Sequence, residues 1–302
     1  MPPDEKRLRI GTRGSKLALV QANMVAAALG NVEIVTLKTT GDRIQDRPLA
    51  DAGGKGLFVR ELEDALLSDA IDLAVHSMKD VPVDLPPGLA IAAVLEREDP
   101  RDVLVSNVAS SLDALPEGAR VGTSSVRRAA QVLRLRPDLQ CTLLRGNVDT
   151  RLRKLDDGQM DAMLLALAGL KRLGLESRAT AVLDLLPALS QGAIGIEIRD
   201  TDTRAREIAA QLNDEETEIE LLCERAFQKA LGGSCRSPMA GLATLEGGVL
   251  SFRGEVIAPD GSDGVETQFT LRLGHDPRHE ASEAGCRAGE ALKPRAVQWL
   301  DL

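Results

Sequence analysis

The sequence predicts an α/β protein, with mainly parallel sheets covered by helices and a smaller α+β unit at the C-terminal end. Three observations carry this expectation. Short apolar runs alternate with helical patterns through the first two-thirds of the 302 residues, the order that βαβ units produce. A strand ending in Gly-Thr and leading into a hydroxyl-rich helix start occurs at Gly11-Thr12 and again at Gly122-Thr123. The final third begins with a long helical pattern and then shows strands of period two.

The elements follow in order. Residues 7–10 read as a strand. Ser15 caps a helix whose apolar face is Leu17, Val20, Met24 and Ala27, stopped by Gly30. Residues 32–38 form a strand, 57–67 a helix, and 71–75 a buried strand that runs into His76 and Ser77. Arg120-Val121-Gly122-Thr123 then repeats the opening pattern and leads into the helix bearing Arg127 and Arg128. A helix N-terminus of this kind offers free N–H groups and partial positive charge to an anion. Two related α/β units facing one cleft would explain the repeat, although Gly-Thr-Ser after a strand is also common turn chemistry. Residues 96–101 are polar, carry Pro100, and read as one crossing between units; 187–192 read as the second, before a strand at 193–198. The expected division is residues 1–96 with 193–214, residues 101–189, and residues 217–302. In the last part, a helix from about Glu215 carries acidic first turns and a stripe of Ile219, Leu222, Ala226 and Ala230, ended by Gly232-Gly233. Strands at 249–257 and 266–273 flank an Asp260-Gly261 turn, and 280–292 suggest a last helix.

Composition narrows the function. Aromatic residues make up 2% of the chain and tyrosine is absent, so the core is aliphatic and base-stacking platforms are scarce. The net charge of −9 argues against the broad basic field of a nucleic-acid binder. The opening MPPDEKRLRIG has no apolar h-region, and no run is long enough to span a membrane. Four cysteines without a CxxC pair fit a cytoplasmic protein with reduced thiols. Three histidines without HExxH or a Cys/His cluster argue against a catalytic metal, and no GxSxG elbow occurs.

The basic residues form the first candidate site. Arg13, Lys55, Lys79, Arg127, Arg128, Arg145, Arg151 and Arg172 lie at expected strand ends, helix starts or glycine-rich loops, the cleft positions of open α/β sheets. A solvated basic face is the plainer reading for any one of them. As a group they suit a small ligand with several carboxylates or phosphates, each charge-assisted contact contributing roughly 1.5–3 kcal/mol when partly desolvated. Residues 53–58 and 11–16 both lack the GxxxxGK[ST] phosphate-loop spacing. Residues 42–55 suit either a mobile lid or an ordinary surface loop. Asp80, just beyond a strand end and next to Lys79, can stabilise a developing cation or cap the turn before Val81-Pro82. Cys235 follows Gly232-Gly233-Ser234 and precedes Arg236, which favours a thiolate; a passive loop cysteine is the alternative. Cys223 falls on the apolar side of its helix.

Several segments, taken in order, resemble the hydroxymethylbilane synthase (porphobilinogen deaminase) family: RIGTRGSKLALVQA from Arg9, GGKGLFVRELE from Gly53, DLAVHSMKDVP from Asp72, VGTSSVRRAAQ from Val121, LLRGNVDTRLRKL from Leu143, LALAGLKRLGL from Leu165, LSQGAIGIE from Leu189 and LGGSCRSPMA from Leu231. The resemblance implies two α/β domains similar to type II periplasmic binding proteins, and a small α+β domain carrying a cofactor cysteine on a loop. It implies a transferase of tetrapyrrole (porphyrin and heme) biosynthesis, which polymerises four porphobilinogen units, with loss of ammonia, into hydroxymethylbilane on a covalent dipyrromethane primer. Cys235 matches the thioether anchor and Asp80 the catalytic aspartate. Arg13, Ser15, Ser77, Lys79, Thr123, Ser125, Arg127, Arg128, Arg145, Gly146, Asn147 and Arg151 match residues of the cofactor and substrate site. Lys55 and Phe58 match the mobile loop, and Arg172 a side chain used in binding or elongation. A cytoplasmic monomer coupled to uroporphyrinogen-III synthase, with no nucleic-acid or membrane partner, is the corresponding expectation.

Two departures stand out. Ser190 occupies a position where many relatives have glycine, and Asp149 does the same within RGNVDTR. The stretch after Ala240 matches only loosely. The rival readings are an anion-binding, receptor-like module, which has no need of Cys235 or Asp80, and a catalytically dead relative that fails to attach a cofactor. A nucleic-acid role is weaker, given the charge and the lack of aromatics.

Overall fold

The structure, a computed structural model, describes residues 7–43, 56–233 and 237–300. In chain order it begins with β1 (Leu8–Arg13), α1 (Lys16–Leu29), β2 (Val32–Leu37), α2 (Thr40–Arg43), α3 (Arg60–Leu67), β3 (Leu73–Ser77) and β4 (Leu89–Val94). Next come β5 (Asp102–Ser106), β6 (Arg120–Thr123), α4 (Val126–Leu135), β7 (Gln140–Leu143), α5 (Val148–Asp156), β8 (Ala162–Ala166), α6 (Leu167–Arg172) and β9 (Ala181–Val182). The chain then adds β10 (Ile194–Arg199), α7 (Thr203–Ala210), α8 (Glu215–Leu231), β11 (Met239–Glu246), β12 (Val249–Ile257), β13 (Gly264–Arg272) and α9 (Pro277–Ala296).

Two five-stranded sheets have one topology. Their orders are β2-β1-β3-β10-β4 and β7-β6-β8-β5-β9. In each, three parallel strands adjoin an antiparallel strand. The antiparallel strand of each sheet adjoins a crossing: β5 follows the outward passage from β4, and β10 follows the return from β9. These are the two α/β units expected from the sequence. The third sheet, β11-β12-β13, is an antiparallel meander covered by α8 and α9, which makes the small α+β unit.

The repeated pattern of Gly-Thr followed by a capping serine has a physical basis. A Cβ on Gly11 would collide with Ile71 Cδ1, and one on Gly122 would lie 2.5 Å from Met160 Sδ. Each glycine lets a packed side chain lie directly on the strand. Beyond it, Ser15 Oγ accepts from the Ala18 amide at 3.3 Å and Ser125 Oγ from the Arg128 amide at 3.4 Å. Both helices therefore start with a side-chain cap, worth about 1 kcal/mol each.

The cores are aliphatic, as the composition requires. Ile10, Leu73, Val75, Ile194, Ile196 and Ile198 fill the first sheet, and Val103, Leu144, Met163 and Leu165 part of the second. The third core holds the aromatic group, with the Phe252 ring 4.9 Å from Phe227 in an edge-to-face arrangement and 5.5 Å from Phe269.

Two helix faces differ from expectation. α1 buries Ala18, Gln21, Ala22 and Val25, whereas Met24 is 44% exposed. Its sequence is apolar all round, so small alanines can seat against the sheet and the bulky stripe loses its meaning. α8 buries Thr217, Ile219, Leu221, Cys223, Glu224, Phe227 and Leu231, while Leu222, Ala226 and Ala230 are only half-buried. This helix is covered on more than one side, by α9, by β11 and by the first unit. Asp214 caps its start by accepting from the Thr217 amide at 2.8 Å, and Gly232, in the left-handed region at φ 82°, ends it. The Cys223 thiol is fully buried, and burial raises its pKa.

Ser190 lies on the return crossing at φ 62°, where glycine is the natural occupant. Its amide donates to Glu224 Oε2 at 2.5 Å, and its buried hydroxyl has no hydrogen-bond partner among the described residues. Ser190→Gly is expected to stabilise the fold by about 1 kcal/mol. Relief of left-handed strain, about 1–2 kcal/mol, outweighs the added freedom of the unfolded chain, about 0.4–1 kcal/mol. Thermal unfolding checks this; an unchanged or lower midpoint would refute it.

Candidate functional site

A cleft of about 650 Å³ lies between the two α/β units. Its walls come from the carboxyl ends of strands, where open α/β sheets expose their ligand sites. The end of β1 brings Arg13, Gly14 and Ser15, and the end of β3 brings Ser77 and Lys79. The opposite wall holds Ser124 beyond β6, Arg128 on α4, residues 145–149 and Arg151 around the start of α5, and Leu165 to Arg172 from the end of β8 through α6. Gln191 and Gly192 of the return crossing form the back.

Asp80 sits in an annex of about 90 Å³ with Arg13, Phe58, His76 and Ser77. It ends a single 3-10 turn, Met78–Asp80, held down by the buried Met78. Asp80 Oδ2 lies 3.6 Å from Arg13 Nη1, and the Arg13 guanidinium stacks 4.2 Å from the Phe58 ring centroid. The carboxylate is thus aimed by a cation that is itself held by an aromatic face. Behind the annex, His76 Nε2 and Glu197 Oε2 are 2.8 Å apart and buried. Glu63, buried near Glu197, is raised to about 7 by burial and by that carboxylate's charge.

A second network crosses from unit to unit through Gln191, which is 1% exposed. Its amide oxygen accepts from Lys79 Nζ at 3.2 Å and Arg128 Nη2 at 3.4 Å. Its amide nitrogen donates to the Pro100 carbonyl at 2.7 Å and to Asp102 Oδ1 at 2.8 Å. Asp102, fully buried, also accepts from Arg127 and Arg128, each at 2.7 Å. Although burial opposes its charge, the two guanidiniums hold it well below the usual carboxylate range.

The cations crowd one another. Burial and Arg128 push Lys79 down to about 8, against the pull of Asp80 and Asp102. Burial, Arg128 and Arg145 push Arg151 down to about 10. Lys79 therefore loses its charge as pH rises through about 8, so hold on carboxylate ligands weakens above that pH. An alkaline limb in kcat/KM near pH 8 is expected, moving to higher pH in Lys79→Arg. An unshifted limb in that variant would assign it to another group.

Most site residues expected from the sequence converge. Arg13, Ser15, Phe58, Ser77, Lys79, Asp80, Arg128, Arg145, Gly146, Asn147, Arg151 and Arg172 all line the cleft or its annex. Asn147 caps α5 by accepting from the Thr150 amide at 2.9 Å. Gly146, at φ 114°, turns the chain and accepts from Arg151 Nε at 2.8 Å. Arg172 Nη2 donates to the Gly192 carbonyl at 2.5 Å. Thr123, Ser125 and Arg127 are not on the wall. Thr123 and Ser125 build the turn, with the Ser125 amide donating to Thr123 Oγ1 at 3.1 Å. Arg127 is 5% exposed and spent on Asp102, Gln131 and the Leu186 carbonyl. Lys55 and Cys235 lie outside the described residues, as does most of the expected 42–55 lid.

The structure adds Lys16, Gln21, Lys38 and Gln191 to the wall. Gln21 Nε2 donates to Ser77 Oγ at 2.9 Å. Lys16 reaches across the cleft to Asp149, 3.6 Å away, both groups being exposed. Such a pair contributes little to stability, but it places the Asp149 departure at the cleft mouth. Gln191 was legible only as part of LSQGAIGIE; Lys16 and Lys38 carried no signal beyond charge.

Chemically, this is a polycation cradle with Asp80 set among cations in its annex and Asp149 at its mouth. Among the described residues no group of His, Cys, Asp or Glu could hold a metal, and no helix is long and apolar enough to cross a membrane.

Comparison with known proteins agrees with this chemistry. Residues 8–207 match the family model for the porphobilinogen deaminase dipyromethane cofactor binding domain, and 218–294 that for the porphobilinogen deaminase C-terminal domain. The porphobilinogen deaminase of Nitrobacter hamburgensis is 51% identical over 298 residues, covering 95% of this chain and 93% of its own. That of Nitrobacter winogradskyi is 51% identical over 298 residues, covering 93% of each. That of Syntrophobacter fumaroxidans is 48% identical over 299 residues, covering 94% of this chain and 96% of its own.

Proposed function

This chain belongs to the porphobilinogen deaminase family, and from that premise we propose how its own residues divide the work of hydroxymethylbilane synthesis. The enzyme is a transferase. It joins porphobilinogen units, with loss of ammonia, into a linear tetrapyrrole on a dipyrromethane primer.

The observation that carries the assignment is the pairing of Asp80 with Arg13 at the edge of a cleft rich in cations. Loss of ammonia from porphobilinogen leaves a resonance-stabilised cation on the substrate. Asp80 offsets that charge as it forms and accepts a hydrogen bond from the pyrrole N–H. A preorganised carboxylate lowers the barrier because it does this without rearrangement. Arg13 and Phe58 hold Asp80 in place. Lys79, Arg128, Arg145, Arg151 and Arg172 take the acetate and propionate groups, two more carboxylates for every ring added. Guanidinium forks suit that load better than ammonium groups.

The cleft fits the primer. The Nε groups of Arg128 and Arg172 are buried without a hydrogen-bond partner among the described residues, so the wall holds donors in excess that carboxylates would satisfy. When bound, dipyrromethane supplies the free α-carbon to which the first substrate is joined. Cys235, which follows Gly232-Gly233-Ser234 in the sequence, is the proposed anchor through its sulfur. The proposed domains are residues 1–96 with 193–214, 101–189 and 217–302. A cytoplasmic monomer passing its product to uroporphyrinogen-III synthase completes this reading.

The test is the intact mass of the denatured protein beside a Cys235→Ala control. An added mass of two linked pyrrole units, absent from the control, is expected. An unmodified protein that also stays unmodified after incubation with porphobilinogen would overturn the assignment and favour an anion-binding module.

A further inference from the structure

We infer that Arg225, on α8 of the third unit, is a positioning residue for Asp80. This rests on the catalytic assignment of Asp80 made above.

Arg225 grips the chain that leaves the Asp80 turn. Its Nη1 donates to the Val81 carbonyl at 3.2 Å, and its Nη2 to the Pro82 carbonyl at 2.7 Å and the Val83 carbonyl at 3.5 Å. Three successive carbonyls, beginning one residue after Asp80, thus share one planar fork. These partners are neutral. Asp84 and Glu197 attract the guanidinium, yet burial still pushes it down to about 10. A cation that gives up hydration for carbonyls alone is a poor source of stability. Its fixed geometry is what it offers, and that geometry points at the turn.

The neighbouring turns of α8 act on the same segment. Leu221, one turn earlier, packs in a cluster with Met78 and Val81, the residues on either side of Lys79-Asp80. Lys229, one turn later, pairs with Asp84 at 2.7 Å. Spacings of four place these three side chains on one stripe of the helix, and their partners advance in the same direction along residues 78–84. The same helix ends at Gly232 and leads directly to the Cys235 loop. Of the three, Arg225 is the one with directional bonds to the backbone beside Asp80. Its removal would free that backbone while leaving the cleft cations in place.

The test compares Arg225→Ala, Arg225→Gln and Arg225→Lys with the parent holoenzyme, reading kcat, KM, intact mass and thermal midpoint. A displacement of about 1 Å at a reacting group can cost about 10²-fold. Arg225→Ala is expected to lower kcat ten- to a hundredfold, leave KM within about threefold, and keep the adduct mass. Arg225→Lys, which keeps charge and donors but not the planar fork, should recover part of kcat, with Arg225→Gln between it and alanine. If the alanine variant fails to fold, the ranking of lysine above glutamine in kcat at equal KM decides the matter. Unchanged kcat in the alanine variant, or a loss that follows the thermal midpoint and is not recovered by lysine, would overturn the inference. Asp80→Ala in the same assay separates the two claims. An inactive Asp80→Ala beside a normal Arg225→Ala removes only Arg225, whereas an active Asp80→Ala removes the catalytic reading itself.

Discussion

Asp80→Ala is expected to abolish measurable turnover, lowering kcat by about a thousandfold, with the fold intact. Removing one preorganised group that stabilises developing charge typically costs about 10²–10³-fold, and here the group meets a full positive charge. The structural cost is small. The Asp80 side chain is 32% exposed and its 3.6 Å contact with Arg13 is the ion pair it makes, an interaction worth at most about 1 kcal/mol at such exposure. The turn itself is held by Met78 and by backbone bonds such as Val81 amide to Met78 carbonyl at 3.1 Å, none of which needs the carboxylate. Asp80→Asn keeps the shape and loses the charge, so it should fall nearly as far; Asp80→Glu keeps the charge and loses the aim. Steady-state rates beside thermal midpoints check this. Near-normal turnover in Asp80→Ala would sink the assignment.

Asp102→Ala should have the largest effect on stability, a loss of about 3–5 kcal/mol, because it leaves two buried guanidiniums facing each other without a counter-charge. Asp102 is fully buried and accepts from Arg127, Arg128 and Gln191. The loss should extend to function. Gln191 and Arg128 would both be released, and Lys79 with them, so kcat/KM is expected to drop as well. Acid supplies a second check. The folded-state pKa of Asp102 lies below its ordinary 3.8. Its contribution is therefore complete above about pH 4 and is lost as pH falls toward the folded value. The stability gap between the parent and Asp102→Asn should be widest above pH 4 and narrow in stronger acid. A gap below about 1 kcal/mol at neutral pH would show that the network holds without its centre.

The fold was legible where local chemistry and tertiary packing agree. The two Gly-Thr turns could be read because the same steric demand acts twice, at Gly11 and at Gly122. The buried face of α1 could not, since leucine, valine, methionine and alanine occur on every side and the sheet selects among them by size. For the α8 stripe the fault was the assumption of a single partner. The site was legible where charge sits beside glycine or hydroxyl residues at strand ends, as at Arg13, Lys79 and Arg145. Adjacent Arg127 and Arg128 look alike in sequence, but about 100° of helix rotation separates them. One is spent on Asp102, Gln131 and the Leu186 carbonyl, while the other also reaches the cleft. Gln191 drew no notice because a neutral amide has no charge pattern to betray it. Its importance lies in which four groups converge on it.

The matching sheet orders have a consequence for biosynthesis on the ribosome. The second sheet draws on one continuous stretch, from Asp102 to Val182, and can close as soon as that stretch has emerged. The first cannot, because β10 belongs between β3 and β4. From the end of β4 at Val94 to the start of β10 at Ile194, about 100 residues must be made, roughly 5–20 s at ordinary elongation rates. During that interval β3, with Leu73, Ala74 and Val75, lacks its neighbour and presents an unpaired apolar edge. The part made first thus closes after the part made second, and the nascent chain spends those seconds open to chaperone capture or misassociation.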